Sequence, residues 1–198
     1  SLSKFYLDRG FNNDIFNYYC CSKKMKKLSL FIPLFILTII CLFFLLFILF
    51  DKDPNDPPSA LINKDMPKFS SINIYDEKET FLPENLKGKY TLINFFASWC
   101  TPCRAEHHLF FEIKEKIPEL FILGFSHKDD LNDSKKYLED EGNPYSFVGV
   151  DKDGKIAFEF GVFGLPETFI INNEGKIIFK HTGPLTKAII DNDIIKFF

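Results

Sequence analysis

The stretch Trp99-Cys100-Thr101-Pro102-Cys103 decides how this chain is read. An apolar run, Thr91-Leu92-Ile93-Asn94-Phe95-Phe96-Ala97, leads into it, and a helical pattern from Arg104 to Ile117 leads out. Two cysteines therefore sit where a buried strand hands over to a helix. A helix N-terminus offers unpaired N–H groups and partial positive charge, and both stabilise a thiolate. A thiol so placed titrates below the free value of about 8.5. Two intervening residues put the sulfurs one turn apart, close enough to close a small disulfide ring. Pro102 falls in the first turn, where a missing N–H does little harm. The pattern points to thiol–disulfide exchange. Structural zinc takes four ligands, and no second Cys pair follows in this part of the chain. Haem attachment needs His directly after the second Cys, and Arg104 stands there. His107 and His108 sit on the helix that Cys103 enters and read as helix-face residues. No metal and no cofactor beyond a redox-active Cys100–Cys103 disulfide are expected.

Composition sets the frame around this stretch. The chain has 198 residues, 46% of them hydrophobic and 25 of them Phe, enough for one domain with a full core plus appendages. Leu28–Phe50 is 23 residues without a charge and apolar on all faces. At about 1.5 Å per residue it is long enough to span a bilayer. A cleaved signal peptide has a shorter apolar region and a small-residue cleavage site, and no Ala-x-Ala pattern precedes Asp51. One retained N-terminal transmembrane helix is the expectation. Lys23, Lys24, Lys26 and Lys27 precede it and Asp51, Lys52 and Asp53 follow, so residues 1–27 are assigned to the cytoplasm and the C-terminal part to the outside. Met25-Lys26-Lys27 reads as a natural start for such a chain. Residues 51–60, with three prolines and three aspartates, form a linker, and 61–198 the catalytic domain. Residues 51–198 carry a net charge of −7, which argues against a nucleic-acid partner. Of five cysteines only Cys100 and Cys103 lie in that domain, so no disulfide framework holds the fold and the pair is available for exchange.

The element pattern along the domain is mixed. Lys68–Ile74 and Thr80–Leu86 read as strands of an N-terminal hairpin. Tyr90–Ala97 reads as a central strand, apolar on both faces. The helix after Cys103 has a buried stripe through Cys103, Glu106 or His107, Phe110, Ile113 and Ile117, and Pro118 ends it. Leu120–Phe125 reads as a parallel neighbour strand, Leu131–Glu141 as a polar helix stopped by Gly142, Tyr145–Val150 as a short strand and Lys155–Phe160 as a short helix. Thr168–Asn172 and Lys176–His181 form a hairpin through Asn173-Glu174-Gly175. Thr186–Phe198 reads as a closing amphipathic helix. Strands alternating with helices, then a hairpin and a last helix, define an α/β domain with a mixed central sheet. No internal repeat or phosphate-binding glycine loop is present in the sequence.

Trp-Cys-x-x-Cys at a strand-to-helix junction resembles the thioredoxin fold. Pro58-Ser59-Ala60-Leu61-Ile62, Trp99 through His107, Gly161-Val162-Phe163-Gly164-Leu165-Pro166-Glu167-Thr168-Phe169 and His181-Thr182-Gly183-Pro184-Leu185 together resemble the CcmG/DsbE family, the membrane-anchored thiol:disulfide interchange proteins of cytochrome c maturation. The resemblance runs from about Lys23 to the C-terminus. It implies a thioredoxin-like fold with an N-terminal β-hairpin extension and an inner-membrane anchor, with the catalytic domain on the periplasmic side. It implies a protein-disulfide reductase that keeps the haem-binding cysteines of apocytochrome c, or of a CcmH-like partner, reduced. Electrons would come from a membrane donor of the DsbD/CcdA type.

The site residues follow from the motif and the resemblance together. Cys100 opens the helix and is expected to be the more exposed sulfur and the nucleophile; Cys103, a turn inward, resolves the mixed disulfide. Glu106, three residues on, lies on the same helical side and is expected to be a half-buried proton carrier for Cys103. Thioredoxin has a buried Asp where this chain has Asn94, and Asn cannot serve as a base. Pro166 resembles the cis proline of thioredoxin-fold proteins and turns the Leu165 backbone toward a substrate strand. Trp99, Thr101 and Pro102 flank the sulfurs and contribute to substrate binding, Trp99 as an apolar docking surface. Glu167 adds negative charge beside the groove. A general periplasmic thiol oxidoreductase of the TlpA/ResA type shares all these features, as does a thiol oxidase running in the opposite direction. A copper-binding chaperone is a weaker rival, wanting a wider Cys spacing and a distal His. A peroxidase is disfavoured because Ala97 stands three residues before Cys100, where a peroxide-binding Thr or Ser belongs.

Overall fold

A computed structural model describes residues 31–46 and 61–198. The predicted segment 1–27, the linker 51–60 and both ends of the span 28–50 lie outside the described residues. The chain divides into two units, Ser1–Asp53 and Pro54–Phe198. In the first, residues 31–46 form helix α1, exposed along its whole described length. Among the described residues no helix is long and apolar enough to cross a membrane.

The second unit is built on a five-stranded sheet. Its strands are β3 (Thr91–Phe96), β4 (Phe121–His127), β5 (Phe147–Asp151), β6 (Glu167–Ile171) and β7 (Ile177–Thr182), in the spatial order β5-β4-β3-β6-β7. β3, β4 and β5 run parallel, whereas β6 and β7 are antiparallel to their neighbours. All six residues of β3 are buried, Thr91 and Asn94 among them, as befits a mostly apolar strand covered on both faces. Alternation sorts them. Leu92 and Phe96 join a core with Phe110 and Ile113 of helix α2 (Thr101–Lys116) and with Tyr137 and Leu138 of α3 (Leu131–Glu141). Ile93 and Phe95 join a second core on the opposite face, with Ile156 of α4 (Lys155–Glu159), Phe160, and Phe69 and Phe81 from the N-terminal hairpin. The hairpin itself is β1 (Ser71–Ile72) paired with β2 (Thr80–Phe81). It is shorter than the predicted strands because Pro83 opens a 3-10 turn at Pro83–Leu86, while Asn73, still bonded to Glu79 across the hairpin, also bridges to Gly149 of β5.

The closing segment departs from its predicted form. It is one α turn, α5 (Lys187–Ile189), then a π turn over Ile190–Ile194 and a 3-10 turn over Ile195–Phe197. β-Branched isoleucines and Asp191-Asn192-Asp193 are weak helix formers, so burial of Ile190 and Ile194 sets the path instead.

Candidate active site

The corner between β3 and α2 places both sulfurs. The Cys100 N–H donates to the Ala97 carbonyl at 3.2 Å, which ends the strand. Cys100 is the N-cap of α2, and its Sγ accepts from the Cys103 N–H at 3.2 Å, so one otherwise unpaired helical donor is aimed at this sulfur. Cys100 and Cys103 are joined as a disulfide, with an S–S distance of 2.06 Å and Cα atoms 5.3 Å apart. Cys100 is 4% exposed and Cys103 2%, so the expectation of a clearly more exposed Cys100 is corrected: in the disulfide both sulfurs belong to the α2-side core. What separates them is the helix end. Cys100 sits at the positive pole and Cys103 inside the first turn.

Asp129 braces this corner, and sequence reading passed it over. Its carboxylate accepts from the Ser98 N–H at 2.6 Å, the Ser98 hydroxyl at 2.9 Å and the Ser134 hydroxyl at 2.6 Å. The available signal was the doublet Asp129-Asp130. Asp130 alone suffices to cap α3, accepting from Asn132 N–H and Asp133 N–H, which leaves its neighbour for another task. Arg104 adds a second brace, its Nε donating to the Ser98 carbonyl at 3.0 Å while its guanidinium lies 4.7 Å over the Tyr137 ring. Trp99 stands 62% exposed, with its indole N–H 3.4 Å from the Lys128 carbonyl. Thr101 and Pro102 are exposed on the first turn of α2.

Glu106 is buried outright, 1% exposed, rather than half-buried. The stripe of α2 turns it onto the sheet, where Asn94 Nδ2 donates to its Oε1 at 3.0 Å and the Leu185 N–H to its Oε2 at 2.6 Å. Asn94 in turn accepts from the Tyr145 hydroxyl at 2.9 Å and stands 3.2 Å from Thr168 Oγ1. Burial pushes the Glu106 carboxyl up to about 7, against the pull of its two hydrogen bonds. A carboxyl that titrates near neutrality, one turn beyond Cys103, can hold or release a proton at working pH.

His107 lies on the buried face of α2, with Glu106 rather than in place of it; it is 3% exposed and packs against Tyr137 and Tyr145. Burial lowers its pKa, so the ring is neutral, and Nε2–H is the donor to the Gly142 carbonyl at 2.8 Å. His108 is exposed. Among the described residues no cluster of His, Cys, Asp and Glu is gathered as a metal ion would need.

The Leu165–Pro166 bond is cis, and Leu165 packs against both cores. Glu167 is corrected. It is 0% exposed and puts no free charge beside a groove. Its Oε1 accepts from the Phe163 N–H at 2.8 Å and its Oε2 pairs with Lys180 Nζ at 3.0 Å. The sequence signal for Lys180 was a cation directly after the apolar run Ile177-Ile178-Phe179, two positions from the Thr182 that pairs with Glu167. Beside Trp99 and Leu165 opens a groove of about 620 Å³, also lined by His127, Lys128, Phe158 and Phe163. Phe158 is 79% and Phe163 85% exposed, so two aromatic rings stand in solvent along this groove.

A sulfur pair on a helix N-terminus, beside a cis proline on a mixed five-stranded sheet, defines a thioredoxin-fold disulfide exchanger. The comparisons agree. The Redoxin family model matches residues 62–194. The thiol:disulfide interchange protein DsbE of Escherichia coli K12 is 33% identical over 174 residues, covering 86% of this chain and 93% of that protein. HelX of Rhodobacter capsulatus, a thiol:disulfide interchange protein, is 36% identical over 144 residues, covering 72% of this chain and 80% of its own. The thioredoxin domain of a Bacteroides vulgatus thiol-disulfide oxidoreductase shares the fold, with a TM-score of 0.60 at 23% identity over 70% of this chain and 99% of that one. The chain belongs to the Redoxin family and, within it, to the DsbE group of thiol:disulfide interchange proteins.

Proposed function

We propose that this chain is a membrane-anchored reductant of cytochrome c maturation, keeping the haem-binding cysteines of apocytochrome c, or of a CcmH-like assembly partner, in the thiol state. The direction of this reading rests on the likeness to the DsbE group, and the observation that carries its exchange chemistry is Glu106. A buried carboxyl with a pKa near 7 beside the inner cysteine suits a proton step at the second sulfur, and Asn94 leaves no other carboxylate in the strand to do it. The Cys100 thiolate attacks one sulfur of the client disulfide; that S–S bond breaks, and the departing client sulfur takes a proton. Cys103, giving its proton to the Glu106 carboxylate, then attacks Cys100 Sγ. The Cys100–Cys103 disulfide forms, the client leaves with both sulfurs reduced, and two electrons have passed to it. A DsbD/CcdA-type membrane protein would restore the dithiol.

In this reading the client lies along the Leu165 backbone, with Pro166, Trp99, Thr101 and Pro102 around the reacting sulfurs and the aromatic groove beyond. Leu28–Phe50 tethers the domain to the inner membrane on its periplasmic side, and α1 lies within that apolar stretch. The test is a Cys103→Ser trap expressed with its membrane segment in a bacterium that makes cytochrome c. Mixed disulfides through Cys100 to apocytochrome c or its assembly partner are expected. Recovery of many unrelated secreted proteins instead would favour a general TlpA/ResA-type oxidoreductase.

A further inference from the structure

The loop Gly161–Pro166 carries Phe163 and Leu165 into the groove between a five-residue helix and an edge hairpin, with Val162 and Leu165 packed on the cores beneath it. A buried ion pair reaching across from β7 ties its start to its far end. Lys180 Nζ pairs with Glu167 Oε2 at 3.0 Å and donates to the Gly161 carbonyl at 2.8 Å, at the start of the loop. Glu167, at its far end, accepts from the Phe163 N–H in its middle. The ammonium also lies 5.2 Å from the centroid of Phe163 and 5.3 Å from that of Phe169. The two charged side chains are 7% and 0% exposed. The Pro166 carbonyl is taken by the Gly183 N–H at 2.9 Å, so the proline end is fixed to β7 as well.

We infer that Lys180 is a positioning residue for client binding: through Glu167 and the Gly161 carbonyl it sets the loop that presents Leu165 and Phe163 to a polypeptide disulfide. The assignment rests on the reading of Leu165 and the groove as the client's docking surface. A charge held this way has only one good geometry, because a displaced ammonium would leave the buried Glu167 carboxylate without its countercharge. The pair therefore fixes the loop in one place, whereas an apolar plug would tolerate several. Lys180 touches neither sulfur, so its effect falls on clients that need the loop and spares disulfides too small to reach it.

The single Trp, Trp99, gives the readout in stopped-flow fluorescence. The reduced full chain is mixed with a synthetic peptide closed by a Cys-x-x-Cys disulfide with apolar flanks, and separately with hydroxyethyl disulfide. Lys180→Met should lower the second-order rate with the peptide at least tenfold and leave the rate with hydroxyethyl disulfide within twofold, while Lys180→Arg restores most of the peptide rate. Parallel loss of both rates, or loss of neither, overturns the assignment. If K180M does not fold by circular dichroism, the neutral pair K180M/E167Q is measured instead; the same selective loss is expected, and its absence counts against the assignment. The unsubstituted chain separates the two levels. No preference for peptide over hydroxyethyl disulfide would remove the docking surface itself, whereas a preference that K180M retains would remove only the role of Lys180.

Discussion

Replacing Glu106 with Gln tests the proton chemistry and the energetics of the site together. The carboxyl is held at about 7 in the folded protein against an ordinary 4.5, and burial is the dominant cause. A folded-state pKa above the unfolded one means that the native protein keeps a proton the unfolded chain has lost. The associated stability is fully present below about pH 4.5 and is lost as pH rises through 7. At 1.36 kcal/mol per pH unit, the rise from 4.5 to about 7 amounts to roughly 3 kcal/mol, with no large discount for solvent because the group is buried. Gln does not titrate, so the stability difference between the two proteins should change by about 3 kcal/mol between pH 4.5 and pH 8. Denaturant unfolding of the oxidised proteins at several pH values measures this. The kinetic counterpart is the Cys103 step. Its rate should rise through about pH 7 in the native protein, and lose that limb and at least about tenfold in rate at pH 8 in E106Q. An unchanged pH profile in E106Q, for stability and for resolution of the mixed disulfide, would refute the assignment.

Other substitutions probe the surroundings of this group. Asn94→Asp sets a second carboxyl against Glu106, across a contact now 3.0 Å long; the pair would share a proton, and the variant should lose at least about 2 kcal/mol at pH 8 and less at pH 5, read by thermal unfolding at both. Asp129→Ala removes the acceptor for Ser98 N–H, Ser98 hydroxyl and Ser134 hydroxyl, and should cost about 2 kcal/mol and slow exchange at Cys100 by loosening the Trp99 corner. Gly149→Ala would bring a Cβ within 2.6 Å of Ser71 Oγ and 2.8 Å of the Phe125 ring, so about 1–3 kcal/mol of stability should be lost without a change in the redox potential of the cysteine pair.

Much of this architecture can be read from residue pattern alone. β3 declares itself as a central strand because four of its six side chains are apolar and fall on both faces, and the helix beginning at Thr101 follows from Pro102 and the stripe through Phe110 and Ile113. Glu106 is placed near Cys103 by helical spacing. Its degree of burial is not, because that depends on Leu185 arriving from a segment 79 residues away. Glu167 illustrates the opposite failure. A carboxylate next to a proline suggests a surface charge, and only the strand register across β6 and β7 brings Lys180 to neutralise it inside the protein. Cys100 looked open to solvent because it begins a helix. Packing of the α2-side core over the disulfide takes that exposure away and leaves the helix terminus as its distinguishing feature. In the closing segment amphipathic spacing does not distinguish an α-helix from the π turn that buries Ile190 and Ile194.

Competitive alkylation of the reduced protein with iodoacetamide across pH 5 to 9, with labelled sites mapped by mass spectrometry, bears on the nucleophile most directly. Cys100 should be labelled first, with a rate that rises at a lower pH than for a free cysteine peptide (about 8.5). Preferential labelling of Cys103, or a Cys100 profile that superimposes on that of the peptide, would contradict the assignment of Cys100 as the helix-activated thiol.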